Sequence, residues 1–130
     1  MIPFTPNAVA KCFGTVVADI NKIANSSVTA WFKSTFPDVT RIASLNPELF
    51  NPALANTNVT IIPIKPPQDR RSRTYIRDVD SYNIAISKIK VAFVIDLKAA
   101  MECAGYSPGQ IQQTVAAFDK LIPVLRIGKF

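Results

Sequence analysis

Ser72–Leu97 reads SRTYIRDVDSYNIAISKIKVAFVIDL, and whether it forms strands or a helix decides the fold of the chain. Val, Ile, Tyr, Phe and Thr crowd it, and such side chains suit a pleated, half-buried surface. From Lys88 onward, Ile89, Val91, Phe93, Ile95 and Leu97 alternate with Lys88, Lys90, Ala92, Val94 and Asp96. Alternation of period 2 predicts a sheet with one face on a core and the other free. Arg73, Tyr75 and Arg77 alternate in the same way with Thr74 and Ile76. The expectation is strands at Asn58–Ile64, Arg73–Asp78, Tyr82–Ile86 and Ile89–Leu97, with a tight turn or bulge at Ser87-Lys88. Their sheet would have a greasy side and a basic, tyrosine-bearing side.

On either side of this stretch the periodicity is helical. After Leu97, Lys98–Ala104 fits two helical turns stopped by Gly105. Ser107-Pro108 is a start signal, a capping residue followed by proline at the first helical position. Ile111, Val115, Phe118 and Leu121/Ile122 then form an apolar stripe ending near Pro123. The tail, VLRIGKF, fits a short strand or an arm onto a neighbour. Before the central stretch, Val9, Phe13, Val16, Ile20 and Ile23 recur at helical spacing. Gly14 and the run Thr15-Val16-Val17 also fit a hairpin, so periodicity favours a helix without excluding strands. Ser27 is positioned to cap a short segment holding Val28, Trp31, Phe32 and Phe36 and closed by Pro37, although Val28–Ser34 also reads as a strand. Residues 37–56, with two Asn-Pro pairs, predict a loop-rich connector with one helical turn, its Leu45, Leu49, Phe50 and Leu54 packing at an edge or an interface.

The 130 residues are expected to make a single domain, 1–130. Hydrophobic residues make up 48%, which argues against disorder. No apolar run approaches the roughly 20 residues a spanning helix needs, and the first residues lack a signal-peptide pattern, so the reading is a soluble protein made in a cytosol, with no membrane partner. The net charge is +6. Its sharpest concentration is Lys65, Arg70, Arg71, Arg73 and Arg77, interrupted by Asp69. Such a cluster suits a polyanion, because each neutralised phosphate releases condensed counterions; it also suits a solubilising loop.

The chain has no histidine, which removes the commonest general base and most zinc sites. The four glycines form no phosphate-cradling loop, and the carboxylates show no motif spacing. The expectation is therefore a non-enzyme with no catalytic residues, no metal, no cofactor and no small-molecule substrate. Cys12 and Cys103 are far apart in sequence, and two buried, reduced thiols are the expectation, a cross-link between subunits the alternative.

Several pieces resemble the coat proteins of single-stranded RNA bacteriophages. NAVAK at Asn7–Lys11 is similar to their opening strand, RDVDSYNIAI at Arg77–Ile86 to a segment entering a central strand, and KIKVAFVIDL with SPGQIQQTVAAFDKLI to their last strand and long helix. The resemblance covers about two thirds of the chain. It implies an α+β fold, an antiparallel β-sheet followed by C-terminal helices that pack across the sheet of a dimer partner. It further implies a homodimer that self-assembles into the shell of a virion, formed in the host cytoplasm. The open sheet face would bind genomic RNA through Arg73, Tyr75, Arg77, Lys88 and Lys90, with Lys65, Arg70 and Arg71 as a second basic cluster. Cations hold phosphates and a tyrosine ring stacks on an unpaired base.

Two other readings compete. Met101, Gly105 and Ile111 have the offsets of a helix-turn-helix DNA-binding regulator, with Gln110, Gln112 and Gln113 placed to read bases. A generic α+β protein-interaction domain would explain the Leu- and Phe-rich connector.

Overall fold

The computed structural model describes residues 3–23, 25–50 and 67–125. These form helices α1 (Pro6–Ile23), α2 (Ser26–Thr35), α3 (Pro37–Leu45), α4 (Tyr75–Ala104) and α5 (Pro108–Asp119), with a 3-10 turn at Pro47–Leu49. No strand occurs among the described residues, so the α+β expectation is overturned in favour of a helical bundle. Three of the four expected strands, Arg73–Asp78, Tyr82–Ile86 and Ile89–Leu97, belong to α4 and the turn leading into it; Asn58–Ile64 lies outside the described residues. With no sheet among the described residues, the dimer implied by the resemblance, helices laid across a partner's sheet, lacks its platform there.

The physical reason is visible along α4. Ile89, Phe93 and Leu97, spaced by four, form an inward stripe and are all buried, joined by Ile86, Ala100, Met101 and Ala104. Val91 and Ile95, also spaced by four, lie on the opposite side and are exposed. Interleaving two such stripes, offset by two residues, gives the same apolar alternation as a strand. What separates the cases is punctuation. From Tyr75 to Ala104 there is neither glycine nor proline, and Ser87-Lys88 carries no turn residue. The β-branched residues cost a few tenths of a kcal/mol each in helix propensity, whereas each buried large aliphatic or aromatic side chain contributes about 1.5–3 kcal/mol. Packing decides.

Helix α1 is central, touching α2, α3, α4 and the 3-10 turn. From Val16 to Ile20 every residue is buried, so this half of the helix is enclosed on all sides. Of the two forms left open for this segment, the helix favoured by periodicity is the one found, and the opening strand that the resemblance implied at Asn7–Lys11 is overturned. The cap of α2 is Asn25 rather than Ser27: its Oδ1 accepts from the backbone N–H groups of Ser27 and Val28 at 3.0 and 3.1 Å. Pro37 both ends α2 and opens α3, so the expected loop-rich connector holds a two-turn helix as well as the 3-10 turn. Leu45 is exposed, Leu49 half-buried and Phe50 buried, while Leu54 lies outside the described residues.

An aromatic cluster joins the pieces. Phe13 of α1 meets Phe36 at 5.3 Å between centroids, and Phe118 of α5 meets both Phe93 of α4 (4.6 Å) and Trp31 of α2 (5.6 Å). At the C-terminal end of α4, a disulfide links Cys103 to Cys12 of α1. The expectation of two reduced thiols is thereby corrected, and the cross-link lies within one chain. Sequence could not pair them, because a 91-residue separation says nothing about distance; the packing of α1 on α4 brings their Cα atoms to 5.4 Å.

The end of α4 and the start of α5 follow the sequence reading. Gly105 adopts a left-handed conformation (φ 87°) and closes α4 through backbone bonds to Glu102 and Met101. Ser107 and Gln110 form a reciprocal capping box at the start of α5. Helix α5 then runs back along α4. Phe118 reaches Phe93, Lys90 Nζ donates to the Asp119 carbonyl at 3.0 Å, and Asn83 clamps Leu125 by donating to its carbonyl (2.9 Å) and accepting from its N–H (2.8 Å).

Candidate nucleic-acid interface

The basic stretch ahead of α4 is an ordered turn. The Asp69 carboxylate accepts the Arg71 backbone N–H at 3.0 Å, and its carbonyl accepts the Ser72 N–H at 3.1 Å. Ser72 Oγ accepts the Thr74 N–H at 3.3 Å, and Thr74 Oγ1 donates to Asp78 at 2.8 Å. Asp69, the one carboxylate in the cluster, is thus committed to the backbone it belongs to. Arg70, Arg71, Arg73 and Arg77 are all exposed, and among the described residues no carboxylate pairs with their guanidinium groups. They project from the turn and from the first turn of α4, where the unpaired N–H groups of the helix add positive potential.

The residues expected on one sheet face are dispersed by the helix. Arg73 and Arg77 stay together, joined by Arg70 and Arg71. Tyr75 shares the i, i+4 and i+11 stripe with buried Val79 and Ile86 and is itself half-buried, so it lies on another side of the helix from exposed Arg77. Lys88 is exposed but lies eleven residues beyond Arg77, about 16 Å along the axis. Lys90 is half-buried, and its ammonium is engaged with the C-terminal carbonyl of α5, a favourable place for a cation. Lys65 lies outside the described residues. The turn chemistry of Asp69 and Ser72 was the available signal that Arg70, Arg71 and Arg73 form one display.

The helix-turn-helix offsets are geometrically real at the turn, since Met101 and Ile111 are buried and Gly105 is left-handed. Helix α5 nevertheless folds back along the C-terminal half of α4, with Phe118 against Phe93 and Asp119 against Lys90, whereas the DNA-binding motif crosses its helices at about 90–120°. Elsewhere, a cavity of about 260 Å³ opens among α1, α2, α3 and the 3-10 turn. Among the described residues Val17, Ile20, Phe32 and Phe50 dominate its wall and Lys33 is its charged group, with no acid–base pair. No group of three or more metal-ligating side chains gathers among the described residues, and none of the described helices is long and apolar enough to cross a membrane.

Compared with known proteins, the chain matches no family model, no curated protein and no solved structure.

Proposed function

We propose that this chain is a non-enzymatic nucleic-acid-binding protein, and that Arg70, Arg71, Arg73 and Arg77 bind the phosphates of single-stranded RNA. The observation that carries the reading is four exposed arginines, with no carboxylate partner among the described residues, on a hydrogen-bonded turn at the head of a long helix. Arginine presents a planar fork of donors that grips phosphate oxygens bidentately. A single strand fits the display because its backbone can bend to meet clustered point contacts, and α5, folded back on α4, is not offered to a duplex groove. The disulfide supports a working life in an oxidising setting, such as a particle outside the cell, after synthesis in a cytosol.

Salt dependence of binding to a single-stranded RNA oligonucleotide tests the reading. With four phosphates neutralised, log K should fall with log salt at a slope of about −3, so affinity drops roughly 50-fold between 50 and 200 mM salt. Replacing Arg70, Arg71 and Arg73 together by glutamine should bring the slope to about −1. Equal binding by the parent and the triple variant would refute the assignment, and so would a preference for duplex DNA over the single strand.

A further inference from the structure

The exposed side of α4 carries a pattern the bundle does not use, and at its C-terminal end Lys98 and Glu102 also border a groove with Ile111, Gln112 and Val115 of α5. Arg77, Ser81, Ile84, Lys88, Val91, Ile95, Lys98 and Glu102 follow one another at steps of four and three without interruption, the spacing of a coiled-coil seam. All eight are exposed, and Ile84, Val91 and Ile95 are 57, 64 and 60% exposed. A row of large aliphatics in water, about 38 Å long with its charged ends, is a surface built to be covered.

The order of residues along the row identifies what covers it. The row is complementary to itself when reversed about the midpoint between Ile89 and Lys90. Ile84 then meets Ile95, Lys88 meets Val91, Ser81 meets Lys98 and Arg77 meets Glu102, with Asp80 one residue from the Ser81–Lys98 layer to receive that lysine. We propose that the outward face of α4 is an isologous, antiparallel interface between two copies of this chain. Each apolar layer is doubled by the twofold axis, and two Arg77–Glu102 pairs and two Asp80–Lys98 pairs flank it. The stem of Lys88 lies along the Val91 layer while its ammonium reaches water. A parallel pairing is disfavoured by the same residues, because it sets Arg77, Lys88, Lys98 and Glu102 each against its own copy. The inference is independent of RNA binding except that Arg77 stands at the edge of both surfaces.

The test is sedimentation equilibrium of the full chain, freed of nucleic acid, over a concentration range that spans association. The expected species is twice the 14.3 kDa chain mass. Val91→Asp should give a monomer with unchanged helical circular dichroism, since the site is exposed in the bundle. Arg77→Glu and Glu102→Arg should each weaken the dimer by at least about tenfold, and the two together should restore it to within about threefold of the parent. A parent that stays monomeric at roughly 100 µM, an association weaker than about −5.5 kcal/mol, would leave the face to some other partner and overturn the proposal. So would a dimer indifferent to Val91→Asp, or single charge reversals that the double variant fails to rescue. Replacing Arg70, Arg71 and Arg73 should leave the dimer unchanged, which keeps the two surfaces separable.

Discussion

The two sides of α4 hold the same kinds of residue in opposite environments. Inward, Ile86, Ile89, Phe93 and Leu97 are sealed against α1 and α5; outward, Ile84, Val91 and Ile95 stand in water. The inner stripe is joined by small residues, Ala92, Ala100 and Ala104, that let neighbouring helices approach, whereas the outer row is interrupted by Lys88 and ended by Arg77, Lys98 and Glu102. One side specifies the bundle. The other is left exposed by it, with charged residues between and beyond its apolar positions. Residue type alone therefore tells little about a long helix; spacing and the charges between the apolar positions tell which side is which.

Removing the inner-side tie should have the largest effect. Replacing Cys12 and Cys103 by serine frees a loop of 91 residues and is expected to cost about 4–5 kcal/mol by loop-closure entropy, seen as a lower denaturation midpoint that reductant reproduces in the parent. An unchanged midpoint in reductant would mean that the link between α1 and α4 is immaterial to the inner side. Next, the contrast can be drawn one residue pair at a time. Phe93→Ala should cost about 3–5 kcal/mol, while Ile95→Ala, measured where the monomer dominates, should stay within about 0.5 kcal/mol of the parent. Similar losses at both positions would erase the distinction between the two faces.

The smallest effect is a pH dependence confined to the inner side. Burial raises the Tyr82 phenol above its ordinary 10.0, and burial followed by the nearby Asp38 carboxylate raises that of Tyr106. The folded state thus holds both phenols neutral after the unfolded chain has begun to ionise. Their contribution is constant below about pH 10 and is lost as pH rises above it. Thermal midpoints followed from pH 8 to 11 should fall less steeply for Tyr82→Phe combined with Tyr106→Phe than for the parent.

How much of this was legible in the sequence follows the same division. The C-terminal hairpin was readable because its signals are local: Gly105 after the last turn, Ser107-Pro108 before the next, and Ile111 and Phe118 at helical spacing. The helical period of α1 was readable for the same reason, although its burial on all sides was not. α4 was misread because its two apolar stripes interleave into a false period of 2, and because the β-branched content of the outer row serves a surface rather than a sheet. The absence of glycine and proline over thirty residues was the contrary signal. Of the candidate site, the arginine cluster was visible as composition, and its turn was hinted at by Asp69 and Ser72. The separation of Tyr75 from Arg77 and the engagement of Lys90 with α5 depend on which way a helix turns each side chain, and no sheet reading can supply that. The disulfide depends wholly on tertiary packing.

Backbone NMR chemical shifts across Ser72–Leu97 test most directly the claim on which both faces depend. A single continuous helix from Tyr75 to Ala104 predicts an unbroken run of helical Cα shifts through Ser87-Lys88 and on to Gly105. Extended-chain shifts over Tyr82–Ile86 and Ile89–Leu97, separated by a turn at Ser87-Lys88, would contradict it, and with it both the bundle and the self-complementary face.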